Sequence, residues 1–344
     1  MAIRMPNSSD TANKVTVVIP NWNGMAWLER CLAALHKQTF VGAVVILVDN
    51  GSTDGSLALV RNAYPTVRVI DLGRNTGFAH AVNVGIGTAE TPYVALLNTD
   101  TEVHAGWLAA LVTCIEQAPP DAAAVSSQML MMDDLALIDD AGDELSWYGA
   151  AIKRGHGLPE RDFRAACEIF SPSAGASLYR RSFLKAAGGF DEDFFAYLED
   201  VDLGLRGRLL GYRYLYEPRA QVQHKGHGSG ILRTSYVELM TRNRLLLFCK
   251  NVPLALLVRH APEILFGQIY FLLAYARPWS SLKGYASFMA ALPRVGRTRR
   301  VIARAMTIDR AALSALLGNT PPQPSLWSRV CARVTRAFGV RAEA

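Results

Sequence analysis

Between residues 15 and 115 the chain repeats one pattern four times: an apolar, mostly β-branched run, a polar turn, then an apolar stripe at helical spacing. The runs are 15–19, 44–48, 67–70 and 93–97, and the helical stretches are 27–35, 56–64, 78–86 and 107–115. Strands that alternate with helices at this spacing imply a parallel, doubly wound sheet. The expected fold class is therefore α/β, a mostly parallel sheet with helices on both faces. A helical appendage follows at the C-terminus.

Ligands of such sheets sit beyond the carboxyl ends of the strands. All four ends here are polar: Asn21-Trp22-Asn23-Gly24, residues 49–55, residues 73–77, and Asn98-Thr99-Asp100. One such end is ordinary turn chemistry; four on one rim make a polar binding site. The first turn lacks Gly-x-Gly-x-x-Gly, and no Gly-x-x-x-x-Gly-Lys-Ser/Thr occurs, which disfavours a nicotinamide dinucleotide and a P-loop nucleotidase. Asp49 suits a nucleobase N–H or a ribose hydroxyl, and Asp100 suits a divalent metal bridging phosphates. The two together fit a nucleoside diphosphate.

Residues 188–202 place six carboxylates among Phe190, Phe194, Phe195 and Tyr197. Acids repelling one another beside apolar rings are costly unless chemistry uses them. A helix is expected from near Tyr197, with Leu198, Val201, Leu205 and Leu209 on one stripe. Asp202 and Arg206 are four apart and can pair. Glu199 and Asp200 fall in the first turn, where two readings stand: capping of the helix, or a carboxylate facing the site. Strands are expected at 173–179, 211–216 and 222–224, and residues 119–170 read as an irregular connection in which Trp147, Tyr148 and 153–156 have no clear place. His224 and His227 flank a Gly-rich segment and are candidate metal ligands.

Five ordered segments carry a resemblance. Val-Val-Ile-Pro-Asn-Trp-Asn-Gly (17–24), Val-Asp-Asn-Gly-Ser-Thr-Asp-Gly-Ser (48–56), Arg-Asn-Thr-Gly-Phe-Ala (74–79), Leu-Leu-Asn-Thr-Asp (96–100) and the stretch 188–203 look like family-2 glycosyltransferases, most of all the bacterial rhamnosyltransferase-like branch. The match runs over about residues 15–250 and ends at Arg242-Asn243-Arg244. The resemblance implies a GT-A fold and inverting sugar transfer from a nucleotide diphosphate donor. It maps Pro20, Asn23, Asp49, Asn75 and Asn83 to the nucleotide pocket, with Asn21, Asn50, Ser52, Gly77, Phe78 and Asn98 beside them as further candidates. Asp100 matches the metal carboxylate of the Asp-x-Asp motif, His224 a further ligand of Mg²⁺ or Mn²⁺, and Asp200 the catalytic base with Glu199 as neighbour. Asn98 stands where that motif has its first Asp, and an amide is the weaker ligand. The implied donor is dTDP-rhamnose, with a UDP-hexose or galactofuranose donor as the alternative. The implied acceptor is a lipid-linked or polysaccharide glycan of the bacterial surface. A non-catalytic nucleotide-sugar-binding protein is the reading from another class, and intact Asp49, Asp100, Asp200 and His224 count against it.

Charge divides the chain. From Lys283 onward there are eleven Lys/Arg and two acids, whereas the preceding residues carry 25 basic and 28 acidic side chains. A near-neutral body with a basic end suits an anionic membrane surface; no nucleic-acid recognition pattern is visible. The apolar residues 245–276 are interrupted by Lys250, Arg259, His260 and Glu263, which favours in-plane or core helices over a spanning one. The expected organisation is a disordered 1–13, a catalytic domain 14–234, a helical membrane-peripheral region 235–318 and a basic amphipathic tail 319–344. Five scattered cysteines and no apolar leader-like segment suit a cytoplasmic protein on the inner face of the membrane. Oligomeric state has no signature in the sequence.

Overall fold

The computed structural model describes residues 13–226 and 230–322. The disorder expected for residues 1–12, His227, and the tail helix of Trp327, Val330, Val334 and Phe338 lie outside the described residues.

The repeat forms as its pattern requires. It comprises β1 (Val15–Asn21), α1 (Met25–His36), β2 (Ala43–Asp49), α2 (Ser56–Ala63), β3 (Arg68–Asp71), α3 (Phe78–Thr88), β4 (Tyr93–Leu97), a short β5 (Thr101–Val103) and α4 (Trp107–Gln117). The parallel strands are ordered β3-β2-β1-β4. β1 pairs with both β2 and β4, so the winding reverses there, and open α/β sheets seat ligands at the carboxyl ends of such strands.

The second half corrects the expected irregular connection at 119–170. There the chain forms β6 (Ala122–Met131), β7 (Asp134–Asp140), β8 (Asp143–Leu145), β9 (Ala151–Lys153) and β10 (Cys167–Ile169). β6 is buried along nearly its whole length, and its Ala-Ala-Ala-Val-Ser-Ser sequence holds one β-branched residue, Val125, too few to mark a strand. β11 (Ala176–Arg180), α5 (Arg181–Ala186), α6 (Glu199–Leu209) and β12 (Arg213–His224) follow. β11 runs antiparallel between β4 and β6, and β12 lies parallel to β6. The two strands expected at 211–216 and 222–224 are one, β12, whose register shifts between Glu217 and Gln221. Pro218 sits at that shift, where a missing N–H is tolerated. α6 begins at Glu199 rather than Tyr197, because Tyr197 and Leu198 have positive φ.

Both sheet faces are covered. Alternate residues of β1 point to opposite sides: Val15, Val17 and Ile19 join Leu28, Val60, Trp107 and Leu111 from α1, α2 and α4. Val18 joins Ala79, Val82, Phe183 and Leu203 from α3, α5 and α6. Each such side chain contributes about 1.5–3 kcal/mol by leaving water.

The described chain falls into two compact units. One holds residues up to 143 and 153–230; the other holds 144–152 and the chain from 231 onward. The second unit contains α7 (Arg233–Asn251), α8 (Leu254–Arg259), α9 (Ala261–Tyr275), α10 (Pro278–Ala305) and α11 (Arg310–Leu316). Within it Gly284 lets α10 approach α7, since a Cβ there would lie 2.6 Å from Glu238 O. Among the described residues no helix is long and apolar enough to cross a membrane.

Candidate active site

Three strand-end turns join into one hydrogen-bonded rim. Asn21 Nδ2 donates to Asp49 Oδ1 at 2.7 Å and to Ser56 Oγ at 2.9 Å, and Asn50 N donates to Asn21 O at 2.7 Å. Asn23 Oδ1 accepts from Thr53 N, and Ser52 Oγ accepts from Asn23 N. Asn50 holds the third turn, donating to Asn75 Oδ1 and Gly77 O and accepting from Thr76 N. Pro20 is the penultimate residue of β1, opposite Val48, and Phe78 opens α3. Asp49 is fully buried, and Asn21 and the Ser52 N–H occupy its two oxygens. Its carboxylate holds the turn together, and Asn23, Thr53 and Asp54 are exposed polar groups of the rim. Asn83 lies apart from the rim: its amide donates to Phe190 O and Glu192 Oε1 and accepts from Phe190 N. Asn83 thus seats the acidic stretch.

The rim touches the acidic stretch at Gly77. Its φ is +91°, and a Cβ there would meet Phe195 at 2.6 Å, so only glycine fits. Ala79 N donates to Phe195 O. Phe195, Tyr197 and Leu198 all hold positive φ, at 64°, 71° and 68°. Such backbone costs of order 1–3 kcal/mol per residue and concentrates at functional sites. It delivers the chain to Glu199 and Asp200 at the start of α6.

The stretch divides as its spacing suggests. Asp191 caps the short turn at 192–194, and Asp202 is buried and accepts from Arg206 Nε at 2.7 Å. Asp200 is half-buried; Ala174 N donates to its Oδ2 at 3.2 Å and Val201 N to its Oδ1 at 2.8 Å. Burial raises its carboxyl above the ordinary range, against the pull of those N–H groups and Lys153. Glu199 is buried, and among the described residues no group donates to its Oε2. Burial and the Asp200 charge hold it well above the usual carboxylate range.

Asp100 and His224 meet because β5 pairs with β12, setting Thr101 opposite His224. His224 Nε2 lies 3.4 Å from Asp100 Oδ1, and its Nδ1 lies 2.7 Å from Asp139 Oδ2. Burial pushes the imidazole down, but the two carboxylates outweigh it and lift it to about 9. Lys153 Nζ donates to Asp139 Oδ2 at 2.8 Å, and Asp139 stays well below the carboxylate range. Asn98 makes a structural link: its N–H donates to Gly175 O at 2.9 Å. Gly175 adjoins Ala174, so one turn joins the end of β4 to the carboxylate of Asp200.

Sequence reading missed Asp139, Asp140, Asp143 and Lys153. Asp140 and Asp143 are buried, and burial lifts Asp140 to about 6 and Asp143 well above the carboxylate range, each raised further by the Asp200 charge. The available signal was the adjacent pair of acids closing Leu137-Ile138.

A divalent ion fits Asp100 and His224. A carboxylate oxygen and an imidazole nitrogen face each other, and Asp139 orients the far side of the ring as outer-shell carboxylates do for metal-bound histidines. Among the described residues no group of three or more His, Cys, Asp or Glu is placed to hold a metal. The other positions would fall to diphosphate oxygens and water.

Comparison with known proteins gives the family and the fold. The model of the family "Glycosyl transferase family 2" matches residues 16–188. The chain is 33% identical over 227 residues to an N-acetylglucosaminyl-diphospho-decaprenol L-rhamnosyltransferase of Mycobacterium tuberculosis, covering 59% of this chain and 73% of that protein. It is 30% identical over 227 residues to a pre-mycofactocin glycosyltransferase of the same organism, covering 64% of this chain and 44% of that one. Among solved structures, the fold resembles a mannosyltransferase of Pyrobaculum calidifontis in complex with GDP-Man and Mn²⁺ (TM-score 0.51, 18% identity, 96% of this chain and 88% of that one). It also resembles GalNAc-T7 with UDP, GalNAc and Mn²⁺ (TM-score 0.53, 16% identity, 77% and 56%).

Proposed function

Since the chain belongs to glycosyl transferase family 2 and is a glycosyltransferase of GT-A type, we propose that it moves L-rhamnose from dTDP-rhamnose to a hydroxyl of a lipid-linked bacterial glycan, with inversion. The observation that carries this reading is the turn joining Asn98 to Asp200, which ties a carboxylate to the metal-side strand end. The rhamnosyltransferase named above supports the donor sugar and the lipid-linked acceptor.

Asp200 acts as the general base. Its two oxygens are fixed by main-chain N–H groups, and its raised pKa makes it a stronger base than an ordinary aspartate. As the acceptor oxygen bonds to the anomeric carbon, its proton passes to Asp200 and the bond from that carbon to the diphosphate oxygen breaks. One displacement inverts the anomeric centre. Burial and the neighbouring Asp200 charge raise the Glu199 carboxyl, so that Glu199 tunes its neighbour and Asp200 takes the proton. Mg²⁺ or Mn²⁺ at Asp100 and His224 would supply positive charge to the departing diphosphate. The rim turns of Asn23, Ser52 and Asn75 orient the nucleotide. On this reading the enzyme works on the cytoplasmic face of the inner membrane, where nucleotide sugars and lipid-linked acceptors meet.

The test is donor binding and turnover across dTDP- and UDP-sugars with Mg²⁺ or Mn²⁺. dTDP-rhamnose is expected to stabilise the protein against heat and to be turned over, with EDTA abolishing turnover. Selective use of a UDP-hexose would overturn the donor assignment, and binding of no nucleotide sugar would overturn the whole reading.

A further inference from the structure

The second unit leaves long apolar helix faces in solvent. On α9, Leu265, Phe266, Ile269 and Leu273 are exposed at one-turn spacing, while Gly267 and Tyr270 are buried. On α10, Trp279 is 78% and Met289 60% exposed, with Leu282 between them, while Ser281, Gly284, Phe288, Ala291 and Val295 are buried. At 3.6 residues per turn, Trp279, Leu282 and Met289 fall within about 80° of helix surface, opposite the buried set. Arg297, Arg300 and Arg304, all exposed, continue along that arc toward the end of α10. One face is therefore apolar over its first half and cationic over its second.

We propose that this face of α10, with the apolar face of α9, docks in plane on an anionic phospholipid bilayer. Apolar side chains enter the headgroup boundary while arginines meet lipid phosphates. Contiguous exposed apolar surface marks an interaction site, and charge chooses the occupant. Residues 254–305 carry eight Lys/Arg and one Glu, so a second copy of the same face would bring no counter-charge for the arginines. An anionic bilayer satisfies both halves. That the docking serves a lipid-linked acceptor rests on the transferase reading; the docking does not.

Co-sedimentation of the full chain with vesicles, without donor or acceptor, tests this. Vesicles of phosphatidylcholine alone are compared with vesicles containing roughly one third phosphatidylglycerol. The wild type is expected to bind the anionic vesicles and to be released by salt. Two triple variants, Trp279→Ser/Leu282→Ser/Met289→Ser and Arg297→Gln/Arg300→Gln/Arg304→Gln, are each expected to bind at least about tenfold more weakly. Circular dichroism and soluble donor turnover should stay at wild-type level in both. The arginine variant alters only exposed polar positions and decides the matter alone if the apolar one fails to fold. Binding that the variants leave unchanged, or no vesicle binding by the wild type, overturns the proposal. So does a wild-type dimer that the apolar variant dissolves, which would give the face to a second copy. A protein that binds vesicles but turns over no donor would sink the transferase reading and leave the docking intact.

Discussion

Asp200 differs from its acidic neighbours in what surrounds each carboxyl. Asp202 is neutralised by Arg206, and Glu199 is buried without a donor on Oε2 among the described residues. Asp200 is half-buried where the other two are buried, and two main-chain N–H groups fix its oxygens. Asp139 aims His224 toward Asp100. Asp139→Asn should weaken Mn²⁺ binding about 10–100-fold by calorimetry, as loss of outer-shell partners does; unchanged affinity would remove Asp139 from the site. Asp143 gives a pH signature. Its folded pKa is raised, so the ionised form costs stability as pH climbs above the unfolded value of about 4. Asp143→Asn should match wild type near pH 4 and melt about 2–6 °C higher at pH 8; a lower melting temperature at pH 8 would contradict the assigned sign. Asp100 and Asp200 were legible in the sequence because each lies in a motif of the resemblance, and His224 because it stands beside a Gly-rich segment. Asp139, Asp140, Asp143 and Lys153 were not, because they come from β7, β8 and the end of β9, and β7 reaches His224 of β12 only through the pairing of both strands with β6.

Elements were legible where periodicity and polar turns coincide. The four βα repeats read directly, whereas β6 did not, since Ala and Ser carry little strand signal and its burial is supplied by neighbours on both faces. α6 is nearly buried throughout, which only its glycines allow. A Cβ on Gly204 would lie 2.0 Å from Ser171 Oγ and 2.4 Å from Ser171 Cβ. Gly204→Ala should therefore cost about 1–3 kcal/mol in chemical denaturation, with Ser171→Gly recovering part of it; an unaffected midpoint would mean α6 has room to shift. Asp202→Ala should cost about 3–5 kcal/mol, because it strands a buried guanidinium.

The division of the whole molecule is interrupted in sequence: 144–152 belongs with the C-terminal helices. Within that unit Trp147 is fully buried, stacked on His260 with ring centroids 3.8 Å apart and tilted against Phe248. A chain truncated after Gly230 keeps Trp147 but loses both partners. It should bind more of the dye ANS than the full chain and aggregate on warming; a monodisperse fragment with full-length dye binding would contradict this division. At this scale the central claim is metal-assisted, inverting transfer with one base. Single-turnover transfer from dTDP-rhamnose by Asp200→Asn, with donor affinity measured alongside, tests it most directly. The account predicts a rate about 10²–10⁴-fold below wild type, donor affinity within about threefold, and loss of the acidic limb of the pH–rate profile. A rate within about threefold of wild type would contradict it.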